Sequence, residues 1–141
     1  VQLITDGACL GNPGPGGWAY ILRYNGHAKE AAGAVPQTTN NRMELTAAIE
    51  GLRMLKEACE VEVVTDSEYL KNGITKWIQG WKRNGWRTAA KKPVLNQDLW
   101  VELDELARVH RIEWTWTKGH ADHADNNRCD ELATQAARNG V

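Results

Sequence analysis

Apolar and polar residues alternate over the first ten positions, Val1-Gln2-Leu3-Ile4-Thr5-Asp6-Gly7-Ala8-Cys9-Leu10. A strand there puts Val1, Leu3 and Thr5 on one face and Gln2, Ile4 and Asp6 on the other. Asp6 thus follows Ile4 toward a covered face before Gly7 interrupts. The pattern returns in Val61-Glu62-Val63-Val64-Thr65-Asp66-Ser67, where Asp66 shares a face with Val64 and again follows a threonine. Trp18 to Tyr24 reads as a strand, Asn25-Gly26 is a two-residue hairpin signal, and a third strand is expected from about His27 to Val35. The first three strands should form an antiparallel meander. Ile112 to Thr117 alternates as a last strand.

Helical periods occupy the rest. Pro36 ends the third strand, and Thr38-Thr39-Asn40-Asn41 offers caps for a helix with Leu45, Ala48, Ile49, Leu52 and Leu55 in one stripe. Helix-compatible sequence runs from Glu68 to about Ile78, after which Gly80 and Gly85 are expected to break the chain into short pieces. Pro93 precedes a helix with Leu99, Leu103, Leu106 and Ala107 aligned, and an Ala-rich helix from about Asn126 to Arg138 comes last. Gly11-Asn12-Pro13-Gly14-Pro15-Gly16-Gly17 reads as a tight irregular turn. It is not a phosphate-binding P-loop, because no Gly-Lys-Ser/Thr follows.

A chain of 141 residues with 42% hydrophobic and 25% charged residues suits one soluble α/β domain, residues 1–141, with a core of its own. No apolar run approaches the ~20 residues a membrane helix needs. Cys9, Cys59 and Cys129 are odd in number and lack metal-ligand spacing, which points to reduced thiols and a cytoplasmic location. The net charge of −1 hides an asymmetry: seven cations and no acid lie between Tyr69 and Gln97, while the remaining ten cations face all eighteen acids. An acidic body with one basic segment suits a polyanion held at the segment and a metal held elsewhere. A solvated lysine-rich loop explains the charge alone.

Four acids on four elements stand out. If the strands of Asp6 and Asp66 are neighbours, two like charges ~4 Å apart repel by ~4 kcal/mol at an effective dielectric of 20 unless a cation lies between them. Glu44, in Asn41-Arg42-Met43-Glu44, is also close to a capping box. Asp130, near the start of the last helix, also suits macrodipole compensation. An all-oxygen cluster of these four would take Mg²⁺ or Mn²⁺ rather than zinc. His120, after Gly119, is either a mobile working group or an exposed spectator. Trp100, Trp114 and Trp116 read as core. Trp77, Trp81 and Trp86 interleave with cations, as in a groove for a nucleic-acid backbone, and also suit buttressing of a short protrusion.

The motifs Ile-Thr-Asp-Gly-Ala-Cys-Leu-Gly-Asn-Pro-Gly-Pro-Gly-Gly, Thr-Thr-Asn-Asn-Arg-Met-Glu-Leu, Thr-Asp-Ser, Trp-Lys-Arg-Asn-Gly-Trp, Lys-Gly-His and Cys-Asp-Glu-Leu-Ala occur in this order over the whole chain. Together they resemble the bacterial type 1 ribonucleases H. The resemblance implies a ribonuclease H-like α/β fold, a five-stranded mixed sheet flanked by helices with a basic protrusion and no separate hybrid-binding domain. It implies metal-dependent endonucleolytic cleavage of the RNA strand of RNA/DNA hybrids by a monomer, giving 5′-phosphate and 3′-hydroxyl ends.

By that resemblance, Asp6, Glu44, Asp66 and Asp130 bind two Mg²⁺ ions, with Mn²⁺ as substitute, and His120 assists proton transfer or product release. Asp6 would bridge the ions, Asp130 would serve the one that activates water, and Glu44 and Asp66 the other. Cys9, Asn12, Asn40, Asn41 and Asn72 match readers of the hybrid's minor groove, where 2′-hydroxyls separate RNA from DNA. Thr39 and Asn96 match a pocket for a DNA phosphate. Trp77 and Trp81 match the DNA-strand channel, and Lys82, Arg83 and Trp86 belong to the motif of the basic segment. Glu68 departs from the pattern, standing where the family carries Gln and placing a fifth carboxylate two residues from Asp66. Two other readings fit less well. An exonuclease of the same superfold does not account for the basic segment and Asn40-Asn41, and a silent hybrid-binding module does not account for four intact carboxylates.

Overall fold

A computed structural model describes residues 1–88, 90–117 and 124–140. Strands β1 (Gln2–Cys9), β2 (Gly14–Tyr24) and β3 (His27–Thr38) form the antiparallel meander, with the hairpin at Asn25-Gly26, where both residues have positive φ. Strands β4 (Glu60–Thr65) and β5 (Arg111–Trp116) add in parallel on the other side of β1, giving the order β3-β2-β1-β4-β5.

Alternation along β1 divides the core in two. Leu3, with Val61 and Val63 of β4, packs under helix α1 (Asn40–Arg53) through Leu45, Ile49 and Leu52, and beside Trp100 and Leu103 of helix α4 (Gln97–Val109). Ile4, with Ala19, Ile21 and Val64, faces Cys129 and Ala133 of helix α5 (Ala124–Asn139) on the opposite side. Ion pairs from Arg23 to Asp125 (2.6 Å) and from Arg128 to Glu30 (3.0 Å) hold α5 against β2 and β3.

Three sequence expectations need correcting. Residues 14–17 are strand rather than turn: β2 begins at Gly14, and the reversal is closed by Leu10 N–H donating to the Pro15 carbonyl at 2.8 Å. The glycines there serve packing, since a Cβ on Gly17 would collide with the Ala133 carbonyl oxygen and crowd the Ala137 amide of α5. Strand β3 runs past Pro36 to Thr38, and Pro36 is tolerated because it falls on an edge strand at the register shift between the Val35–Gly16 and Thr38–Gly14 pairs.

The basic segment runs as one helical arm as far as Arg83, and its remaining cations Arg87, Lys91 and Lys92 lie in the non-helical chain beyond Gly85. The arm comprises α2 (Glu68–Asn72), a π-helical turn (Gly73–Trp77) and α3 (Ile78–Arg83), with Gly80 inside α3 and Gly85, at φ +67°, beyond its end. A single interior glycine costs only about 1 kcal/mol in a helix, so Gly80 does not break it.

The two glycines should respond oppositely to alanine. Gly17→Ala should lower the melting midpoint by roughly 5–10 °C through overpacking against α5. Gly80→Ala, with no atom near its added methyl, should raise it by about 2–4 °C. Thermal unfolding followed by circular dichroism checks both. A Gly17→Ala protein melting with the wild type would contradict the close approach of α5.

Candidate active site

Parallel pairing sets the first two acids side by side. Ile4 of β1 is the register partner of Val64 of β4, so Asp6 and Asp66, each two residues further on, reach the same end of the sheet together. The helix α1 brings the third. Its cap is Thr39, whose hydroxyl accepts from Arg42 N–H at 3.3 Å, so Glu44 is not needed for capping. Glu44 instead turns to the strand, where Gly7 N–H donates both to Glu44 Oε1 (3.1 Å) and to Asp6 Oδ1 (2.8 Å). A Cβ on Gly7 would lie 2.6 Å from the Glu44 amide nitrogen, so a glycine is required for α1 to come this close.

Carboxylate oxygens of Asp6, Glu44 and Asp66 lie within 4.8 Å of one another. Asp6 and Glu44 are each only 4% exposed, and Asp66 is half-buried. At that separation two full charges repel by about 3–4 kcal/mol at an effective dielectric of 20. Burial, and then the Asp66 charge, raise the Asp6 pKa from 3.8 to about 7, with Asp130 adding and the Glu44 and Gly7 hydrogen bonds opposing. Burial, then Asp6 and Asp66, push Glu44 well above the usual carboxylate range.

Asp6 Oδ2 and Glu44 Oε2 are buried and have no hydrogen-bond partner among the described residues. Unpartnered buried acceptors in an oxygen-only set fit a hard divalent cation. The neighbouring Cys129 thiol lies against the carbonyls of Ile4 and Ala19, and burial together with the carboxylates raises its pKa, which favours the thiol form.

Asp130 is the seventh residue of α5 and is exposed, outside the three-acid group but close enough for its charge to act on Asp6. It lies past the first turn, beyond the reach expected of macrodipole compensation. His120 falls outside the described residues.

The expected substrate contacts gather around the same end. Cys9 ends β1 with its thiol donating to the Gly14 and Thr38 carbonyls (3.5 and 3.4 Å). Asn12 Oδ1 accepts from Asn40 N–H at 2.9 Å, tying the β1–β2 reversal to the tip of α1, where Asn41 follows. Glu68 is exposed as the first residue of α2, and Asn72 is its last. Asn96, in left-handed backbone before α4, accepts from Arg42 Nη1 (3.2 Å) and donates to the Tyr69 hydroxyl (3.0 Å).

Tyr69, Trp77, Trp81 and Trp100 form a chain of ring contacts with centroids 5.4–5.9 Å apart, and Trp77 is 39% exposed. Trp86, at φ +63°, returns its N–H to the Trp81 carbonyl at 2.6 Å. Arg83 is exposed, whereas Lys82 pairs with the buried Asp104 of α4 at 3.3 Å.

The sequence reading missed Arg42 and Tyr69. Arg42 fixes Asn96 and makes a two-pronged contact with Asp98 (3.0 and 2.8 Å). The Tyr69 hydroxyl accepts from both Asn96 and Trp100, each at 3.0 Å. The place of Arg42 one turn behind Thr39 puts it at the helix tip, but nothing local names partners more than fifty residues away.

The sequence model of the RNase H family matches residues 1–138. The ribonuclease H of Solibacter usitatus is 75% identical over 138 residues, which are 98% of this chain and 94% of that protein. The ribonuclease HI of Neisseria meningitidis serogroup A is 62% identical over 137 residues, covering 97% of this chain and 94% of that one. Among solved structures, LC9-RNase H1, a type 1 RNase H with the type 2 active-site motif, superposes with a TM-score of 0.86 at 33% identity, over 99% of this chain and 72% of that one. LC11-RNase H1, solved with an RNA/DNA hybrid, shares the fold at a TM-score of 0.72 and 24% identity over 97% of this chain and 96% of that one. With its strand-end acids, its mixed sheet and these matches along almost its whole length, the chain belongs to the RNase H family.

Proposed function

We propose that this chain is an endonuclease that hydrolyses the RNA strand of RNA/DNA hybrids and leaves 5′-phosphate and 3′-hydroxyl ends. One observation carries the reading: three carboxyl groups converge within 4.8 Å with two of their oxygens buried and unpartnered. Relatives 61–75% identical that are named ribonuclease H support it. Asp6, Glu44, Asp66 and Asp130 would hold two Mg²⁺ ions, or Mn²⁺ in their place. Such ions supply positive charge to the attacking and leaving oxygens of an in-line displacement at phosphorus.

The chain's own residues set up the rest. Gly7 N–H holds Asp6 and Glu44 in a fixed relation. Asp6 would serve both ions, Asp130 one of them, and Glu44 and Asp66 the other, with His120 assisting proton transfer or product release. Cys9, Asn12, Asn40, Asn41 and Asn72 would face the minor groove, where contacts to 2′-hydroxyls select RNA for cleavage. Glu68 accepts hydrogen bonds and cannot donate them, so it would meet a 2′-hydroxyl or a base amino group rather than a ring-nitrogen or carbonyl acceptor. Thr39 and Asn96 would hold a phosphate of the DNA strand, which Trp77, Trp81 and Trp86 flank. We further place the protein in the cytoplasm as a monomer.

Hybrid, duplex RNA and duplex DNA presented side by side, with and without Mg²⁺, test the reading. Only the hybrid should be cut, only with the ion, and at internal positions. Binding without cutting would make the chain a recognition module. Shortening from one end, or cutting of duplex DNA, would make it another nuclease of the fold. Asp6→Asn should bring hybrid cleavage down by at least about 10²–10³-fold, and more than a few per cent of residual activity would sink its assignment. His120→Ala should cost less.

Within the basic arm, Arg83 and Lys82 should separate. Arg83→Ala should weaken hybrid affinity and flatten its log–log salt dependence by about 0.9 for each phosphate that Arg83 neutralises. Lys82→Ala should chiefly lower the melting midpoint, since it takes one of two cations from Asp104, the other being Arg108 at 2.7 Å. An unchanged salt slope for Arg83→Ala would return Arg83 to the solvated surface.

A further inference from the structure

The chain leaves the sheet at Asp66. The last ladder bond of β4 runs from Thr117 N–H to the Thr65 carbonyl at 2.9 Å, and α2 starts after Ser67, whose hydroxyl accepts from Leu70 N–H at 3.1 Å. Between them lies one peptide unit, made of the Asp66 carbonyl and the Ser67 N–H. Together with the Thr65–Asp66 peptide, whose carbonyl is held by the ladder bond to Thr117, its position fixes the backbone at Asp66 and so the direction in which the side chain leaves. A connection between a strand and a helix is ordinarily where backbone orientation is least constrained.

Here both polar atoms of that unit are bonded. The Trp116 indole N–H donates to the Asp66 carbonyl at 3.1 Å, and Ser67 N–H donates to the Thr65 hydroxyl at 3.1 Å. Thr65 is 1% exposed, so its hydroxyl is held by packing. Trp116 is the register partner of Thr65 on β5, and the Lys71 ammonium lies over its ring at 5.1 Å from the centroid. One ring therefore joins β5, the Asp66 carbonyl and α2.

We infer that Trp116 is a positioning residue for the metal site: its indole N–H and the Thr65 hydroxyl clamp the Asp66–Ser67 peptide, and so aim the Asp66 carboxylate at Asp6 and Glu44. The inference rests on the reading of Asp66 as a cation ligand. Groups that orient a ligand from behind typically carry 10–100-fold in metal affinity or activity.

Trp116→Phe removes the donor while keeping an aromatic face under Lys71. Calorimetric titration of the substrate-free protein with Mg²⁺ should show affinity reduced roughly tenfold, and steady-state cleavage should show kcat lowered with the hybrid KM unchanged. Trp114→Phe, the same change two residues earlier on β5, should leave Mg²⁺ affinity at the wild-type value. Thr65→Val, which removes the other half of the clamp, should repeat the Trp116→Phe result and carries the test if that protein does not fold. Wild-type Mg²⁺ affinity in both Trp116→Phe and Thr65→Val, with Asp66→Asn weakened, would overturn the clamp and leave the ligand reading standing. Wild-type affinity in Asp66→Asn would overturn the ligand reading and the clamp with it.

Discussion

Holding three acids together is the constraint that the rest of the molecule has to meet. Asp6 and Glu44 are buried with one oxygen each lacking a hydrogen-bond partner among the described residues, and Asp66 lies within 4.8 Å. A buried unsatisfied acceptor costs about 1–3 kcal/mol, and each charge pair adds repulsion of the same order. The Gly7 N–H, bonded to both Asp6 and Glu44, offsets part of this. The two hydrophobic layers that fix β1 between α1 and α5 have to impose it, and a bound cation would relieve it.

The imposition is mostly backbone geometry. Parallel pairing of β1 with β4 aligns two aspartates because each lies two residues past a paired position. Gly7 lets α1 descend onto β1 until one N–H bonds two carboxylates, and Gly17 lets α5 lie against β2 on the far side. The helical arm is attached through aromatic rings packed against α4. The basic segment is thus placed by the core, although most of its charges face solvent.

The elements that bear the chemistry were legible because their signals are local. Alternation places Asp6 with Ile4 and Asp66 with Val64, Asn25-Gly26 marks its hairpin, and the stripe from Leu45 to Leu52 is a helix face. What escaped the sequence depends on distant partners. Gly14 to Gly17 read as a turn because the helix packed on Gly17 is some 120 residues away. The interruption of the arm by a π-helical turn at Gly73, which packs against the Trp100 ring, leaves no local trace. The ion pair of Lys82 with Asp104 is likewise invisible from the surroundings of Lys82. Trp116 read as core, and only the fold shows that its indole N–H is spent on the Asp66 carbonyl. For Glu44 and Asp130 the local alternatives of cap and macrodipole carried real weight, and it was the cap at Thr39 and the helix start at Ala124 that removed them.

The central claim is that the carboxylate cluster is a site of repulsion that a divalent cation relieves. The most direct measurement is the melting midpoint of the wild type and Asp6→Asn at pH 8 and fixed ionic strength, with Mg²⁺ raised from zero. Without the ion, Asp6→Asn should melt higher by a few degrees, about what 1 kcal/mol or more of relieved repulsion gives at this size. Mg²⁺ should lift the wild type toward or past the variant and move the variant little. A wild type that melts at or above Asp6→Asn without Mg²⁺, and does not respond to the ion, would contradict the account.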